Sequence, residues 1–279
     1  MVAVSTLGVA LFQLAPLFWA MSESLQKFNP VTHQSIGFVG SDNFDAIFQD
    51  PAFWQSVTNT FLYSVGTTLV EIVLGLAIAL LLDRSLPVTS VARTAVIAAL
   101  ALSESVTALL WVTMLDKDTG IVNGLLGAVG ISPVGWLTTA PAAFISVSMV
   151  TVWHEVGLVV LIYLAGLQNL DDELYDAASV DGAGSLRKFY YLTLPMLRRS
   201  TVLAVFIATI TSVRIFTPIL IMTVGGPDGT SQNLIHYIYA QGMQNLDYGL
   251  ASAATVCLVV VLIAVTALQS VLLRGRSKS

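Results

Sequence analysis

The sequence predicts an all-α, polytopic membrane protein with about six transmembrane helices. Of its 279 residues, 56% are hydrophobic and only 10% are charged, and the mean hydropathy is +0.81. Soluble domains carry about a quarter charged residues. The apolar residues are also gathered into runs of the roughly 20 residues that an α-helix needs to cross a bilayer. Composition and run length together indicate an integral membrane protein.

Six apolar stretches are candidate spans within a single transmembrane domain, 1–279. In chain order they lie at about 2–22, 56–82, 91–115, 140–167, 200–223 and 249–273. A helix is expected in each stretch, because it satisfies its own backbone hydrogen bonds where lipid cannot. The chain begins apolar at Met1, without the basic residues of a signal peptide. This favours a first span whose short lead is missing or trimmed over a cleaved signal.

Basic residues predict the orientation of these spans. Most of the 12 lysines and arginines fall in three regions, 84–93, 187–199 and 274–278. The three regions lie on the same side of a six-span arrangement, and the positive-inside rule makes that side cytoplasmic. The other side holds only Lys27 and Lys117 beside eight of the 17 acidic residues, so the formal net charge of -5 reflects an acidic outer face and a basic inner one.

The loops expected on the outer side differ in pattern. The stretch 23–55 is polar and aromatic, and its aromatic side chains suit the membrane interface. The glycine-rich stretch 116–139 predicts a turn and a short surface helix. Within 224–248, residues 234–239 form an amphipathic stretch that is expected to lie on the membrane or dip into it rather than span it.

The loop between the fourth and fifth spans, 168–199, is patterned as two helices. Acidic residues at 171–173 suit the first turn of a helix, where they face the positive end of its dipole. Small side chains follow, and glycines at 182–184 end the helix. Ser185 is expected to cap a second helix, which Pro195 stops or kinks. A helix lying passively on lipid headgroups is the alternative, but lipid does not require a surface of small residues.

Ionisable side chains inside the apolar stretches indicate polar surroundings. Each costs about 2.5–3.5 kcal/mol to insert, so a translocation pathway, a partner subunit or an internal ion pair is expected beside it. The ionisable candidates for a pathway are Glu104, Glu155 and Arg214, and Asn59 and Trp111 are further candidates. A fixed interhelical bridge at Glu155 or Arg214 is the alternative, as is plain packing of Trp111. Glu71, Glu104 and Glu155 also leave an ion-coupled secondary transporter open.

Motifs for catalysis are missing from the sequence. There is no glycine-rich phosphate loop ending in Gly-Lys-Ser/Thr and no Gly-x-Ser-x-Gly elbow. His154-Glu155 lacks the second histidine of a zinc-protease helix. We therefore expect a non-catalytic chain with no metal site and no nucleotide site of its own.

The loop 168–199 also resembles a family signature. Asp176-Ala177-Ala178, then Gly182 and Leu192-Thr193-Leu194-Pro195, resembles the Glu-Ala-Ala signature of inner-membrane permeases of binding-protein-dependent ABC importers. The resemblance extends over nearly the whole chain, including Thr223-x-Gly225-Gly226-Pro227. It is greatest for the first permease of maltose-type carbohydrate and glycerol-3-phosphate importers, and it implies the type I ABC importer permease fold. Asp176 replaces the usual glutamate, and the proline usual near 102–104 is missing, so no kink is assumed there.

The resemblance implies a set of partners and a mechanism. The partners would be a second homologous permease, two cytoplasmic ATPase subunits that hold ATP and Mg²⁺, and an extracytoplasmic solute-binding protein or lipoprotein. The solute would be a sugar or a related compound, such as an oligosaccharide, polyol, glycerol-3-phosphate or glycerophosphodiester, taken into a bacterial cell by alternating access. The exact substrate, and which permease holds it, stay open. The residues implied in contact with the ATPase are Tyr175, Asp176, Ala177, Ala178, Asp181, Gly182, Ala183, Leu194 and Pro195.

Overall fold

The computed structural model describes Gly8 and residues 10–32, 34–83 and 87–274. In chain order the helices are α1 (Ala15–Glu23), α2 (Asp42–Gln49), α3 (Pro51–Leu82), α4 (Pro87–Ala101), α5 (Glu104–Met114), α6 (Ile121–Ala128), α7 (Ala140–Leu167), α8 (Asp172–Val180), α9 (Ser185–Lys188), α10 (Leu194–Met196), α11 (Arg198–Val213), α12 (Leu234–Tyr239) and α13 (Tyr248–Arg274). Short π-helical turns lie at Ala10–Leu14, Phe189–Thr193, Ile219–Thr223 and Ala240–Gln244. The small helix predicted within 116–139 is α6.

A two-stranded hairpin is the exception to the all-α prediction. Strands β1 (Gln26–Phe28) and β2 (Ser35–Phe38) pair antiparallel, with Lys27 opposite Gly37. Both strands lie in the polar stretch 23–55, so the hairpin does not alter the helical character of the apolar stretches.

Among the described residues, three helices are long and apolar enough to cross a membrane, judged on length and composition. They are Pro51–Leu82, Ala140–Leu167 and the part of α13 at Tyr248–Val271, and they correspond to the second, fourth and sixth predicted spans. Pro51 begins its helix without strain, because the first turn needs no backbone donor there. The Asp50 side chain accepts a hydrogen bond from the Ala52 amide at 2.9 Å and completes the start. Part of the first predicted span, residues 2–7 and 9, lies outside the described residues.

The third predicted span is bent rather than continuous. Ser90–Ala101 and Glu104–Met114 meet at 103°. A break therefore occurs near 102–104, where the missing proline gave no reason to assume one. The Ser103 hydroxyl accepts a hydrogen bond from the Val106 amide and starts a new helix from an extended residue. The His154 ring lies 3.1 Å from the Leu102 carbonyl oxygen, so two polar contacts stabilise the break without proline.

The fifth predicted span, 200–223, is interrupted as well. Helix α11 ends at Val213, Arg214 is its C-cap, and helical turns resume only before the π-helical turn Ile219–Thr223. At its other end, α11 meets the helical stretch Ser185–Met196 at 65°. If each bent pair is one span, the described chain has up to five spans.

The chain divides into two units, and each has its own packing. Unit 1 comprises 1–61, 138–143 and 223–279. In it, α13 packs against α1, α2, α12 and β1. The buried Asn43 side chain donates to the carbonyl oxygens of Ser24 and Gln26, at 2.8 and 2.9 Å, and so fixes the entry to the hairpin.

Unit 2 comprises 62–137 and 144–222 and has two apolar clusters. The first joins α3, α7 and α11 through Ala79, Val160, Tyr163, Leu197 and Ala204, among others. The second surrounds Tyr63, whose ring stacks on that of Phe144 at a centroid distance of 4.0 Å. The segment with the family signature belongs to this unit and joins it through Leu197.

Candidate functional site: the coupling segment

Residues 172–195, here called the coupling segment, begin with a capped helix. The Asp171 side chain accepts a hydrogen bond from the Glu173 amide at 2.9 Å, so it is the N-cap of α8. Asp172 and Glu173 occupy the first turn, where negative charge complements the helix dipole. The start predicted from the acidic residues is confirmed.

A glycine turn ends α8 with defined geometry. The Ala183 amide donates to the Ala178 carbonyl at 2.9 Å, and the Gly182 amide donates to the Ser179 carbonyl at 3.1 Å. These are the two bonds of a Schellman motif, and Gly182 has the left-handed φ of +80° that the motif requires. The next helix starts after extended Gly184, which is the N-cap in place of the predicted Ser185. Ser185 lies one residue too far inside the helix to cap it.

Two side-chain contacts hold the helices of the coupling segment together. The hydroxyls of Tyr175 and Thr193 lie 2.8 Å apart, and Lys188 Nζ donates to Ser179 Oγ. Thr193 is buried, as is Leu197 just beyond the segment, so the second helix is anchored in unit 2. Pro195 lies just before the 65° bend, as expected of a residue that stops or kinks a helix.

The coupling segment exposes an apolar surface. Val180 is 89% exposed and Tyr191 is 74% exposed, and Leu186 and Tyr190 are exposed with them. A groove of about 310 Å³ runs between the helices. It is lined by Ala178, Asp181, Ala183, Arg187, Lys188, Tyr191 and Leu192. Asp176, Ala177, Gly182, Leu194 and Pro195 are exposed as well. Small side chains with both charges beside them give a surface that can receive side chains of another protein.

The pathway candidate Asn59 forms hydrogen bonds with the outer loop. It is buried in unit 1, and its amide nitrogen lies 2.8 to 3.1 Å from the carbonyl oxygens of Gly229, Thr230 and Gln232. Its donor hydrogens are therefore used within the chain. Asn59 holds the outer loop at the start of the second span.

Glu155 and Trp111 lie in contacts within unit 2. The Glu155 carboxylate pairs with His154 Nδ1 on its own helix at 3.0 Å, so the interhelical bridge considered for it is not the contact found. The Trp111 ring packs edge-to-face on Trp153, at a centroid distance of 5.9 Å. His154 was not predicted as a site residue, although it joins Glu155 to the Leu102 carbonyl at the break between α4 and α5.

Glu104 and Arg214 lie at opposite kinds of helix end. Glu104 is half-buried in the first turn of α5, where a carboxylate suits the positive end of the dipole. Arg214 is exposed at the C-terminus of α11, where a cation suits the negative end. Glu104 and Arg214 thus occupy helix ends where their charges suit the helix dipole.

Further residues at or near the start of α3 also form hydrogen bonds with the outer loop. These bonds were not predicted from the sequence. The Thr60 hydroxyl accepts from the Leu234 amide at 2.9 Å, and Gln55 Nε2 donates to the Asp228 carbonyl at 3.2 Å. The Tyr237 hydroxyl donates to Asp50 Oδ2 at 2.7 Å. No periodicity reveals such pairs, because their members lie more than 170 positions apart.

Comparison with known proteins decides the family. Residues 71–278 match the family described as the binding-protein-dependent transport system inner membrane component. The chain belongs to this family. The permease is thus a non-catalytic, multi-pass subunit of the inner membrane in an ABC importer that depends on a binding protein, as the signature of the coupling segment led us to expect.

Curated relatives and solved structures agree with this assignment. The permease is 33% identical to the sulfoquinovosyl glycerol transport system permease protein SmoG of Agrobacterium fabrum, over 86% of this chain and 78% of the relative. It is 34% identical to the trehalose/maltose transport system permease protein MalF of Thermococcus litoralis, over 82% and 77%. A solved bacterial ABC transporter involved in import of the acidic polysaccharide alginate has the same fold, with a TM-score of 0.88, 24% identity and coverage of 100% of this chain and 95% of that one.

Proposed function

We propose that the permease transports a sugar or a related solute, and that its coupling segment docks on a cytoplasmic ATPase. The observation that carries this proposal is the exposed apolar surface of the coupling segment, with Val180, Leu186, Tyr190 and Tyr191. Contiguous exposed apolar side chains mark interaction surfaces in proteins of known structure. The neighbouring groove supports the same interpretation, since its alanines leave room for side chains of a partner.

The attachment of the coupling segment suits it to transmit motion. The Tyr175–Thr193 hydrogen bond joins its two helices, and Leu197 joins the second helix to the core of unit 2. A displacement at Ala178 is therefore passed to α11 rather than absorbed in a flexible loop. ATP binding in the partner closes the ATPase dimer, and the docked segment shifts the spans between inward- and outward-facing states.

The proposed assembly contains this permease, a second homologous permease, two ATPase subunits and an extracytoplasmic solute-binding protein. ATP and Mg²⁺ belong to the ATPase subunits. The small residues at 177–178 and the acidic Asp176 are proposed to enter the ATPase groove, with Tyr175, Asp181, Gly182, Ala183, Leu194 and Pro195 around them. Asp176 is one methylene shorter than glutamate, so an ion pair from it must be closer or bridged by water.

The substrate class is inferred from the relatives. Permeases named for sulfoquinovosyl glycerol, for trehalose and maltose, and for sn-glycerol-3-phosphate, the last being UgpA of Agrobacterium fabrum at 31% identity, all match most of this chain. These solutes share several hydroxyl groups, so a polyhydroxylated solute is proposed. Arg214 is suited to a phosphate or sulfonate, because guanidinium binds such groups through paired hydrogen bonds. Asn59, Glu104, Trp111 and Glu155 remain predicted pathway residues.

Uptake by the complete importer tests the coupling role. We expect Ala178→Trp to fill the groove and Gly182→Asp to strain the Schellman turn, and both to abolish solute uptake while membrane insertion stays normal. Asp172→Ala is the matched control, because it changes an exposed residue of the same helix outside the groove. Normal uptake by both variants, or cross-links from Ala177 that reach only lipid, would overturn the proposal.

A further inference from the structure

A carboxyl group in the interior of unit 2 has no partner. Glu71 lies in the middle of α3 and is 1% exposed. Neither of its carboxyl oxygens has a hydrogen-bond partner in the described part of the chain. A carboxylate buried in this way is strongly destabilised, because no water or donor compensates its charge.

The neighbouring hydroxyl groups satisfy one another instead of Glu71. Thr67 Oγ1 lies 2.6 Å from Ser212 Oγ, and Thr68 Oγ1 lies 3.3 Å from the same atom. All three residues are buried. Thr67 and Thr68 lie one turn before Glu71 on α3, and Ser212 lies on α11. These three hydroxyl groups are therefore paired with one another, and none of them is a partner of the Glu71 carboxyl group.

Helix α7 packs closely against α3 near Glu71. One turn after Glu71, a Cβ atom at Gly75 would lie 2.5 Å from Val159 Cγ1, so the two backbones are in close contact. Glu155 lies one turn before Val159 on the same helix. His154 holds the Glu155 carboxylate at 3.0 Å. Close packing at this contact acts against a charged side chain at position 71, because nothing there compensates the charge.

We propose that Glu71 is a proton-binding site, and that in this conformation it carries the proton as a neutral carboxylic acid. A hydronium ion gives one proton to the carboxylate, the O–H bond forms on Glu71, and a water molecule is released. ATP remains the energy source of transport.

The site has a consequence that rests on the proposed alternating access. A state in which water reaches the α3–α7 contact stabilises the Glu71 carboxylate, so the proton leaves in that state. Proton binding and the conformation of the permease are then linked, and each biases the other by the same free energy. Alkaline conditions favour the hydrated state.

Difference infrared spectroscopy of the assembled importer in lipid vesicles tests the proton itself. We expect wild type to show the carbonyl stretch of a buried protonated carboxyl group at neutral pH, and Glu71→Gln to lose it. Glu104→Gln is the matched control and should leave this band unchanged, because Glu104 is half-buried at a helix start. A band unaffected by Glu71→Gln overturns the site, whatever the coupling-segment variants show.

Two further measurements keep the inference open to failure. Glu71→Leu should unfold at a temperature no lower than Glu71→Gln, because a neutral unpartnered acid contributes no hydrogen bond. A clearly lower midpoint for the leucine variant would show that a polar side chain at position 71 has a hydrogen-bond partner, and would contradict the unpartnered acid. Vanadate trapping in weakly buffered solution with a pH indicator should release about one proton more per wild-type importer than per Glu71→Gln importer. Equal release overturns the linkage even where the infrared band is present.

Discussion

The coupling segment and the outer loop 223–239 differ in their hydrogen-bond partners and in the burial of their apolar side chains. Hydrogen bonds of the coupling segment stay within its own sequence, as between Tyr175 and Thr193, while its apolar side chains stand exposed. The outer loop forms hydrogen bonds with Asn59 and Thr60 of α3, and its residues Leu234 and Tyr237 are buried. A segment that leaves apolar side chains open is built for a partner, whereas a segment that satisfies its polar groups inside the chain is built to stay in place.

The largest effect is expected where the coupling segment joins the core. Leu197→Ala removes a side chain that is fully buried beside Gly166, where packing leaves no slack. Such truncations cost about 2–5 kcal/mol, so we expect a lower thermal midpoint of the purified importer and loss of uptake.

Leu194→Ala is the control for this change. It removes the same side chain from an exposed position of the same segment, so its effect on the thermal midpoint should be much smaller. Equal destabilisation by the two variants would mean that Leu197 does not anchor the coupling segment.

The same contrast explains how much of the molecule the sequence predicts. Helix α7 was predicted at the bounds observed, because a long apolar run needs only its own backbone. The start of α8 and its glycine turn were also predictable, since caps and Schellman turns depend on neighbouring residues. The break at Ser103 was missed, because serine there is an ordinary residue until His154 of another helix comes near the Leu102 carbonyl. The role of Asn59 was missed for the same reason.

Loss of the Asn59 donor should loosen the outer loop. Asn59→Asp keeps the size of the side chain but removes the amide hydrogens that face three carbonyl oxygens. A buried acceptor left without its partner costs about 1–3 kcal/mol. We expect faster hydrogen exchange in residues 229–234, measured by mass spectrometry.

An exposed amide gives the control for Asn59. Asn245 donates to Gln241 at 3.0 Å in an exposed position, so Asn245→Asp should leave exchange in 229–234 unchanged. If Asn59→Asp also leaves that exchange unchanged, the loop is not held by this side chain.

A smaller effect is expected inside the coupling segment. Tyr175→Phe and Thr193→Val each remove one hydroxyl of the pair at 2.8 Å, at a cost of about 0.5–1.5 kcal/mol. Because both changes break the same bond, the double variant should lose less stability than the sum of the single variants. Strict additivity in thermal unfolding would show that the two hydroxyls do not act together.

The smallest effect concerns pH and separates the two regions once more. His236 in the outer loop is buried against Gly225, and neither ring nitrogen has a partner among the described residues. Burial lowers the pKa of His236 below its usual value, because the site disfavours the charged ring. The unfolded loop therefore binds more protons than the folded loop, and its stability falls as pH drops below about 6.5.

We expect hydrogen exchange in residues 229–236, corrected for its intrinsic pH dependence, to become less protected in wild type as pH falls from about 7 to about 5. His236→Phe keeps an aromatic ring that cannot be protonated, so its protection should stay level over this range. The coupling segment contains no histidine and should respond alike in both proteins. The same acid response of residues 229–236 in wild type and His236→Phe would assign the effect to another group, because the ring at position 236 is then not the one that takes up the proton.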